Sequence, residues 1–329
     1  MKTKLFRISR IVVLSVVILA LVTLGAGAVA KSNLAKENPA PGQLVDVGGY
    51  KLHINCTGEG SPAVILEAGF VESSSSWLFI QPEVAKTTRV CSYDRAGYGW
   101  RDPSPHPRTA SWRADELHTL LVNAGVQGPY VLVGHSLGGM LVRMYAHTYP
   151  EDVAGIVLVD SVHEEQFERL PGQKSSIPDQ VRQFRMLGAL SSTGFMALAP
   201  QAIPNQGYPD EIFDQYKIVW AMGKHFTTAA AESNAMLESA DEVRALQITS
   251  FGNLPLSVLS AGLDFPISYL SEAENQQFWE EIRTMQSELA ALSSNSTHTI
   301  AEQSGHYIQF DQPDLVINAI LEMVAALRE

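Results

Sequence analysis

Tyr130-Val131-Leu132-Val133-Gly134-His135-Ser136-Leu137-Gly138-Gly139 is the stretch on which the reading of this chain turns. The first four residues form a short apolar, β-branched run that reads as a buried strand. Beyond them Leu137, Met140, Leu141, Met144 and Tyr145 recur at helical spacing, so the chain passes from strand to helix through a single serine. A turn that sharp strains its central residue and needs neighbours without Cβ, which Gly134 and Gly138 supply. Ser136 would then stand at the N-terminus of a helix, beside the Leu137 N–H, which can donate to a developing oxyanion. The pattern is that of an elbow carrying a nucleophile.

Working outward, strand patterns alternate with helix patterns. Gln43–Val47 and Tyr50–Cys56 read as a hairpin about Gly48-Gly49. Ala63–Glu67 stops at Ala68-Gly69-Phe70 and a serine-rich loop, and Arg89–Tyr93 stops at Asp94-Arg95-Ala96-Gly97-Tyr98-Gly99. A proline-rich loop, Arg101 to Arg108, and a helical pattern lead to the elbow, which is followed by Gly155–Asp160. Strands that are apolar throughout and alternate with helices predict a doubly wound, mostly parallel α/β sheet. From 161 to 252 the strand signal vanishes and short helices are broken at Pro171, Pro178, Pro200, Pro204 and Pro209, as expected of an inserted helical cap. The sheet resumes at Leu254–Ser260 and ends at Thr297–Glu302, before Ser304-Gly305-His306 and a last helix. The expected organisation is a core of 44–160 and 253–329 around a cap of 161–252.

The N-terminus reads differently. Lys2, Lys4, Arg7 and Arg10 precede twenty uncharged residues, Ile11 to Ala30, long enough to cross a bilayer with the positive end inside. A cleavable signal ending at Ala28-Val29-Ala30 fits the same residues, and the two readings, both of which export the body, stay open. Residues 31–43, with Pro39 and Pro41, read as a linker. The four positive charges of the first thirty residues leave −16 on the remainder, against −12 for the whole chain. An acidic body argues against nucleic acid, and leaves the N-terminal segment as the expected contact with a membrane. Cys56 and Cys91 are the two cysteines, each in or beside a predicted strand. They form a disulfide if those strands adjoin, and are two small buried apolar residues if not.

A serine nucleophile needs a base, itself oriented by an acid. In doubly wound hydrolases the chain order is Ser, acid, His, which leaves His163, His225, His298 and His306. His306, one glycine past the last strand and at the edge where Ser136 emerges, is the expected base. Asp264 follows the strand after the cap, beyond Ala261-Gly262-Leu263, and Asp160 ends the strand after the elbow helix at that same edge; either could serve as the acid. The second oxyanion donor is expected from the Phe70 backbone N–H. No cofactor motif or metal site is read: Gly97 and Gly99 precede no Walker lysine, and His163-Glu164-Glu165 lacks a second histidine four residues on. Met186, Phe195, Met196, Trp220, Met222, Phe226 and Met236 suggest an apolar wall for a small acyl substrate, although core packing accounts for such residues equally well.

Ala68-Gly69-Phe70, Asp94 to Gly99, Gly134-His135-Ser136-Leu137-Gly138 and Gly305-His306, four motifs in order, resemble the α/β-hydrolase superfamily across residues 44 to 327. The resemblance implies an eight-stranded sheet whose second and fourth strands adjoin, which favours the Cys56–Cys91 bridge. It implies a serine hydrolase of carboxylic esters, with amides, lactones and carbon–carbon bonds as other bonds cut on this scaffold. A slow or non-catalytic binding protein is the alternative of another class. The region around Asp160 is similar in layout to some haloalkane dehalogenases that take their acid from the sixth strand, which favours Asp160 over Asp264. Dehalogenases and epoxide hydrolases carry aspartate where this chain has Ser136. The superfamily's usual His-Gly at the oxyanion loop is Ala68-Gly69 here.

Overall fold

The structure, a computed structural model, describes residues 2–99, 104–205, 207–221, 223–268 and 270–329, with side chains from Phe6 onward. Arg101 and Met222, named above, lie outside the described residues. The chain forms two compact units, one of Ala40–Gln183 with Thr228–Glu329, the other of the N-terminal helix with Phe184–Thr227.

The larger unit is built on one sheet of eight strands: β1 (Gln43–Asp46), β2 (Lys51–Thr57), β3 (Ala63–Glu67), β4 (Val90–Asp94), β5 (Tyr130–His135), β6 (Val153–Val159), β7 (Leu256–Ala261) and β8 (Ser296–Ala301). Their order across the sheet is β1-β2-β4-β3-β5-β6-β7-β8. β1 and β2 pair antiparallel, as do β2 and β4, and the remaining pairs are parallel. Strands β3, β4 and β5 are buried along their whole length, because helices cover both faces.

The helices, in chain order, are α1 (Lys2–Glu37), α2 (Gln81–Val84), α3 (Ala110–Asn123), α4 (Leu137–Thr148), α5 (Gln166–Arg169), α6 (Gln173–Ser192), α7 (Phe195–Leu198), α8 (Asp210–Ala221), α9 (His225–Ala245), α10 (Glu272–Ala290), α11 (Ile308–Asp311) and α12 (Pro313–Ala326). One face of the sheet packs Leu132, Ile156 and Leu158 with Leu117, Leu121, Met140 and Leu141 of α3 and α4. The other packs Val131, Val133 and Val157 with Val316, Ile320 and Val324 of α12. The alternation of these valines and leucines along β5 and β6 sends successive side chains to opposite cores.

The described residues of 161–252, read from the sequence as a cap, hold helices and no strand; 161–183 and 228–252 belong to the sheet-bearing unit. In the smaller unit α1 packs against α7, with no room for a Cβ between Gly27 and Gly194, and Lys31 Nζ donates to the Ser192 carbonyl at 3.2 Å. Helix α1 continues to Glu37, so Lys31–Glu37, read as linker, is helical. The prolines that suggested a linker, Pro39 and Pro41, fall beyond the helix end, and Ala, Leu, Lys and Glu before them are strong helix formers. Helix α1 has a window of mean hydropathy 2.7, long and apolar enough to cross a membrane.

Cys56 and Cys91 face each other across β2 and β4 and form a disulfide closing a separation of 35 residues. Restricting the unfolded chain over a loop of that size stabilises the fold by about 3–4 kcal/mol. Reduction, or Cys91→Ala, is expected to lower the denaturant midpoint accordingly in equilibrium unfolding. An unchanged midpoint would show the bridge to be without weight in stability.

Candidate active site

Ser136, Asp160 and His306 follow β5, β6 and β8 at the carboxyl edge of the sheet. Ser136 follows β5 with φ 52° and ψ −120°, outside the ordinary regions for an L-residue. Its N–H donates to the Val159 carbonyl, and its carbonyl accepts from Gly139 and Val162, which holds the strained turn in place. A Cβ on Gly134 would lie 2.6 Å from the Gly138 backbone, and one on Gly138 2.5 Å from the Glu67 carbonyl, so only glycine lets strand and helix meet there. Leu137, first residue of α4, has no intrahelical acceptor for its N–H.

Asp160 directly follows β6 with φ 40° and is 9 % exposed. Its Oδ1 accepts the Ala261 N–H at 3.0 Å, and its Oδ2 lies 2.6 Å from His306 Nδ1. Against a carboxylate, Nδ1 bears the proton, which leaves Nε2 of His306 as an acceptor. Asp264, the alternative acid, sits in an exposed loop and pairs with Arg283. His298 lies on β8, its Nε2 2.6 Å from Ser260 Oγ. His163 lies near Glu164 and Glu288, with burial the chief cause holding its pKa below the usual value. His225 opens α9 in the other unit.

Ser136, Asp160 and His306 line one cavity of about 190 Å³. Its walls come from Val162, Phe265, Phe278, Trp279 and Ile282, with Gln166 and Gln173 as polar lining. The apolar wall therefore stands on α10 and the loop after β7, not on the methionines and aromatics that suggested one from the sequence. Of those, Met186 and Phe195 are exposed, Trp220 and Phe226 are buried in the smaller unit, and Met236 packs against the core. Helical periodicity shows that α10 has an apolar face but not that the face meets a cavity.

Behind the loop after β3, where the sequence suggested the second oxyanion donor, lies a buried ionic cluster that the sequence did not reveal. All five N–H groups of Arg95 are accepted: by Glu232 Oε1 and Oε2 at 3.1 and 3.2 Å, Glu67 Oε1 at 2.6 Å, and the Ala68 and Gly69 carbonyls at 2.5 and 2.7 Å. Glu232 also pairs with Arg113 at 2.6 Å and accepts the Tyr98 hydroxyl at 2.6 Å, while Tyr93 donates to Glu67. Burial raises the Glu232 pKa, but Arg95 and Arg113 outweigh it and hold the carboxyl at about 2. For Glu67 burial wins over Arg95 and pushes it up to about 7. A trans peptide directs C=O and N–H to opposite sides, so the grip of Arg95 on the Gly69 carbonyl turns the Phe70 N–H away from Arg95. Among the described residues no group of three or more His, Cys, Asp or Glu is placed to hold a metal ion.

A family profile described as alpha/beta hydrolase fold matches residues 62–194. A thermophilic esterase from Thermogutta terrifontis superposes with a TM-score of 0.62 at 23 % identity, covering 87 % of this chain and 99 % of that one. This is an α/β-hydrolase-fold protein. A probable hydrolytic enzyme from Pseudomonas aeruginosa shares the α/β-hydrolase fold at TM-score 0.66, with 19 % identity over 87 % of this chain and 95 % of that one. At these identities the two speak to the fold. Among sequences, the chain is 35 % identical over 136 residues to a probable transporter of Hormonema carpetanum, covering 39 % of this chain and 20 % of that protein. It is 25 % identical to an uncharacterized protein of Schizosaccharomyces pombe over 87 % of this chain and 56 % of that one. The hydrolase-fold chain thus spans about a fifth and about half of these two relatives. It is also 27 % identical to Bacillus subtilis YqjL over 82 % of this chain and 86 % of that protein.

Proposed function

We propose that the chain is a serine hydrolase acting on carboxylic esters through a Ser136–His306–Asp160 triad. The observation that carries the proposal is the 2.6 Å contact of Asp160 with His306 Nδ1, in the cavity that the strained Ser136 also lines. His306 Nε2 takes the Ser136 proton as Oγ attacks the acyl carbon, and the carbonyl oxygen gains the negative charge. The Leu137 and Phe70 N–H groups stabilise that oxyanion. Collapse of the tetrahedral intermediate breaks the ester C–O bond, and His306 returns the proton to the departing alcohol. Water, deprotonated by the same nitrogen, then releases the carboxylic acid and restores Ser136.

A cavity of about 190 Å³ is smaller than the ~300–1,000 Å³ that hold drug-sized ligands, which supports a compact acyl group. Phe265, Phe278, Trp279 and Ile282 suit it to an apolar one. We place α1 as a membrane anchor or export signal, with the body on the far side, where the disulfide would persist. The exposed Met186, Leu190, Phe195 and Leu198, in the same compact unit as α1, support the anchor.

A panel of p-nitrophenyl esters tests the activity and the cavity depth together. Acetyl and butyryl esters are expected to turn over faster than dodecanoyl, with all activity lost in Ser136→Ala. No turnover of any ester would favour a binding role.

A further inference from the structure

The chemistry above leaves a second buried acid–histidine pair unused. His135, the residue before the nucleophile, is 1 % exposed, and Glu72, on the loop after β3, is 3 % exposed. His135 Nδ1 lies 3.1 Å from Glu72 Oε2, and Nε2 lies 2.9 Å from the His306 backbone carbonyl. A carbonyl oxygen can only accept, so Nε2 bears a hydrogen; the Nδ1–Oε2 contact needs a second, on one partner or the other. Oε2 already accepts the Gly69 N–H at 2.7 Å, and Oε1 is buried without a hydrogen-bond partner among the described residues. A buried carboxylate so placed requires a counter-charge in contact with it. Arg95 spends its five N–H groups elsewhere, and among the described residues His135 is the cationic group in contact with the Glu72 carboxylate. The fit is tight: a Cβ on Gly69 would lie 2.7 Å from His135 Nδ1.

We infer that His135 is an imidazolium held by Glu72, and that this pair is a positioning element that ties the oxyanion loop and the His306 loop to the residue beside Ser136. Through Glu72 it holds the Gly69 N–H, while Arg95 holds the Gly69 carbonyl. Through Nε2 it holds the backbone of His306. The inference rests on the reading of Ser136 and His306 as catalytic.

The groups facing His135 are Glu72, Asp160 at the end of β6, and His306 and Tyr307 on the loop before α11. Burial lowers the His135 pKa, but Glu72, with Asp160 further off, outweighs burial and raises it. Burial likewise works against the Glu72 charge, and His135 with the Gly69 N–H holds its pKa below the usual value. A histidine raised in the fold contributes fully below its unfolded pKa, and the contribution is lost as pH rises through the folded value. The positioning is therefore complete on the acid side of the ordinary histidine range, extends above that range, and fails as pH rises further.

Ring ¹⁵N–¹H correlation spectra of the full chain labelled in histidine test the charge, with His135→Gln used to assign the signals. The expected result is two ring N–H groups on His135 at pH 7, persisting above the ordinary histidine range near ~6.5. Glu72→Gln is expected to lower kcat by roughly 10–100-fold with KM nearly unchanged, and to move the alkaline limb of the pH–rate profile to lower pH. Glu72→Asp, which keeps the charge, should recover part of the rate and serves if Glu72→Gln does not fold. A neutral ring with one N–H in the wild type at pH 7 overturns the inference. So do wild-type kcat and pH profile in the Glu72 variants. Failure of the catalytic reading looks different, as a wild-type chain inert to every ester.

Discussion

His306→Ala is expected to lower kcat by about 10⁴–10⁶-fold while leaving the melting temperature nearly unchanged. In the proposed mechanism the imidazole carries two separate tasks, accepting the Ser136 proton and returning it to the leaving group, and among the described residues no neighbouring histidine stands ready to replace it. His135 is turned away, with both nitrogens engaged by Glu72 and by the His306 carbonyl. That carbonyl belongs to the backbone, so it survives the substitution and keeps its bond. The His306 side chain is 37 % exposed and adds little to the core, which is why stability is spared. Steady-state kinetics on a short-chain ester, with a thermal melt on the same preparation, check both halves. Retained turnover would retire His306 as the base.

Asp160→Asn is expected to cost about 10³–10⁴-fold in kcat, and Asp264→Asn less than about twofold. In the proposed triad Asp160 Oδ2, 2.6 Å from His306 Nδ1, fixes the His306 tautomer with the proton on Nδ1, and the carboxylate would stabilise the imidazolium that forms during attack. An asparagine can turn its amide N–H toward Nδ1 and reverse the tautomer, leaving Nε2 protonated and unable to act as base. The Oδ1 contact with the Ala261 N–H can persist through the amide oxygen, so the backbone turn is kept. Asp264 instead makes a surface ion pair with Arg283, both side chains being about half exposed, and such pairs contribute little. Parallel kinetics of the two variants decide the matter, and a larger loss for Asp264→Asn would move the acid to that residue.

The parts that could be read ahead from sequence share a physical reason. Tyr130–Val133, Ala63–Leu66 and Gly155–Val159 are apolar on both faces because they are buried on both faces, so the parallel sheet announces itself in composition. Gly134 and Gly138 mark the elbow because no other residue fits there. The choice between Asp160 and Asp264 was poorly legible, since both follow strands, and only the fold shows which one lies against His306. Glu72 and Glu232 were not legible at all. Each is a lone acid, one in a serine-rich loop and one inside α9, and its meaning comes from partners 63 and 137 residues away in the chain. Arg95 lay within a motif read from sequence, yet its five hydrogen bonds go to two separate segments, Glu67–Gly69 and Glu232. The helical course of Lys31–Glu37 was masked by the prolines just beyond it.

The most direct measurement is the site of covalent modification by a fluorophosphonate, which forms a phosphorus–oxygen bond only with an activated hydroxyl and releases fluoride. Peptide mass spectrometry of the treated full-length protein is expected to find one adduct, on Ser136, absent from both Ser136→Ala and His306→Ala. An unmodified Ser136 in folded wild-type protein, or an adduct carried equally by His306→Ala, would contradict a serine activated by that histidine.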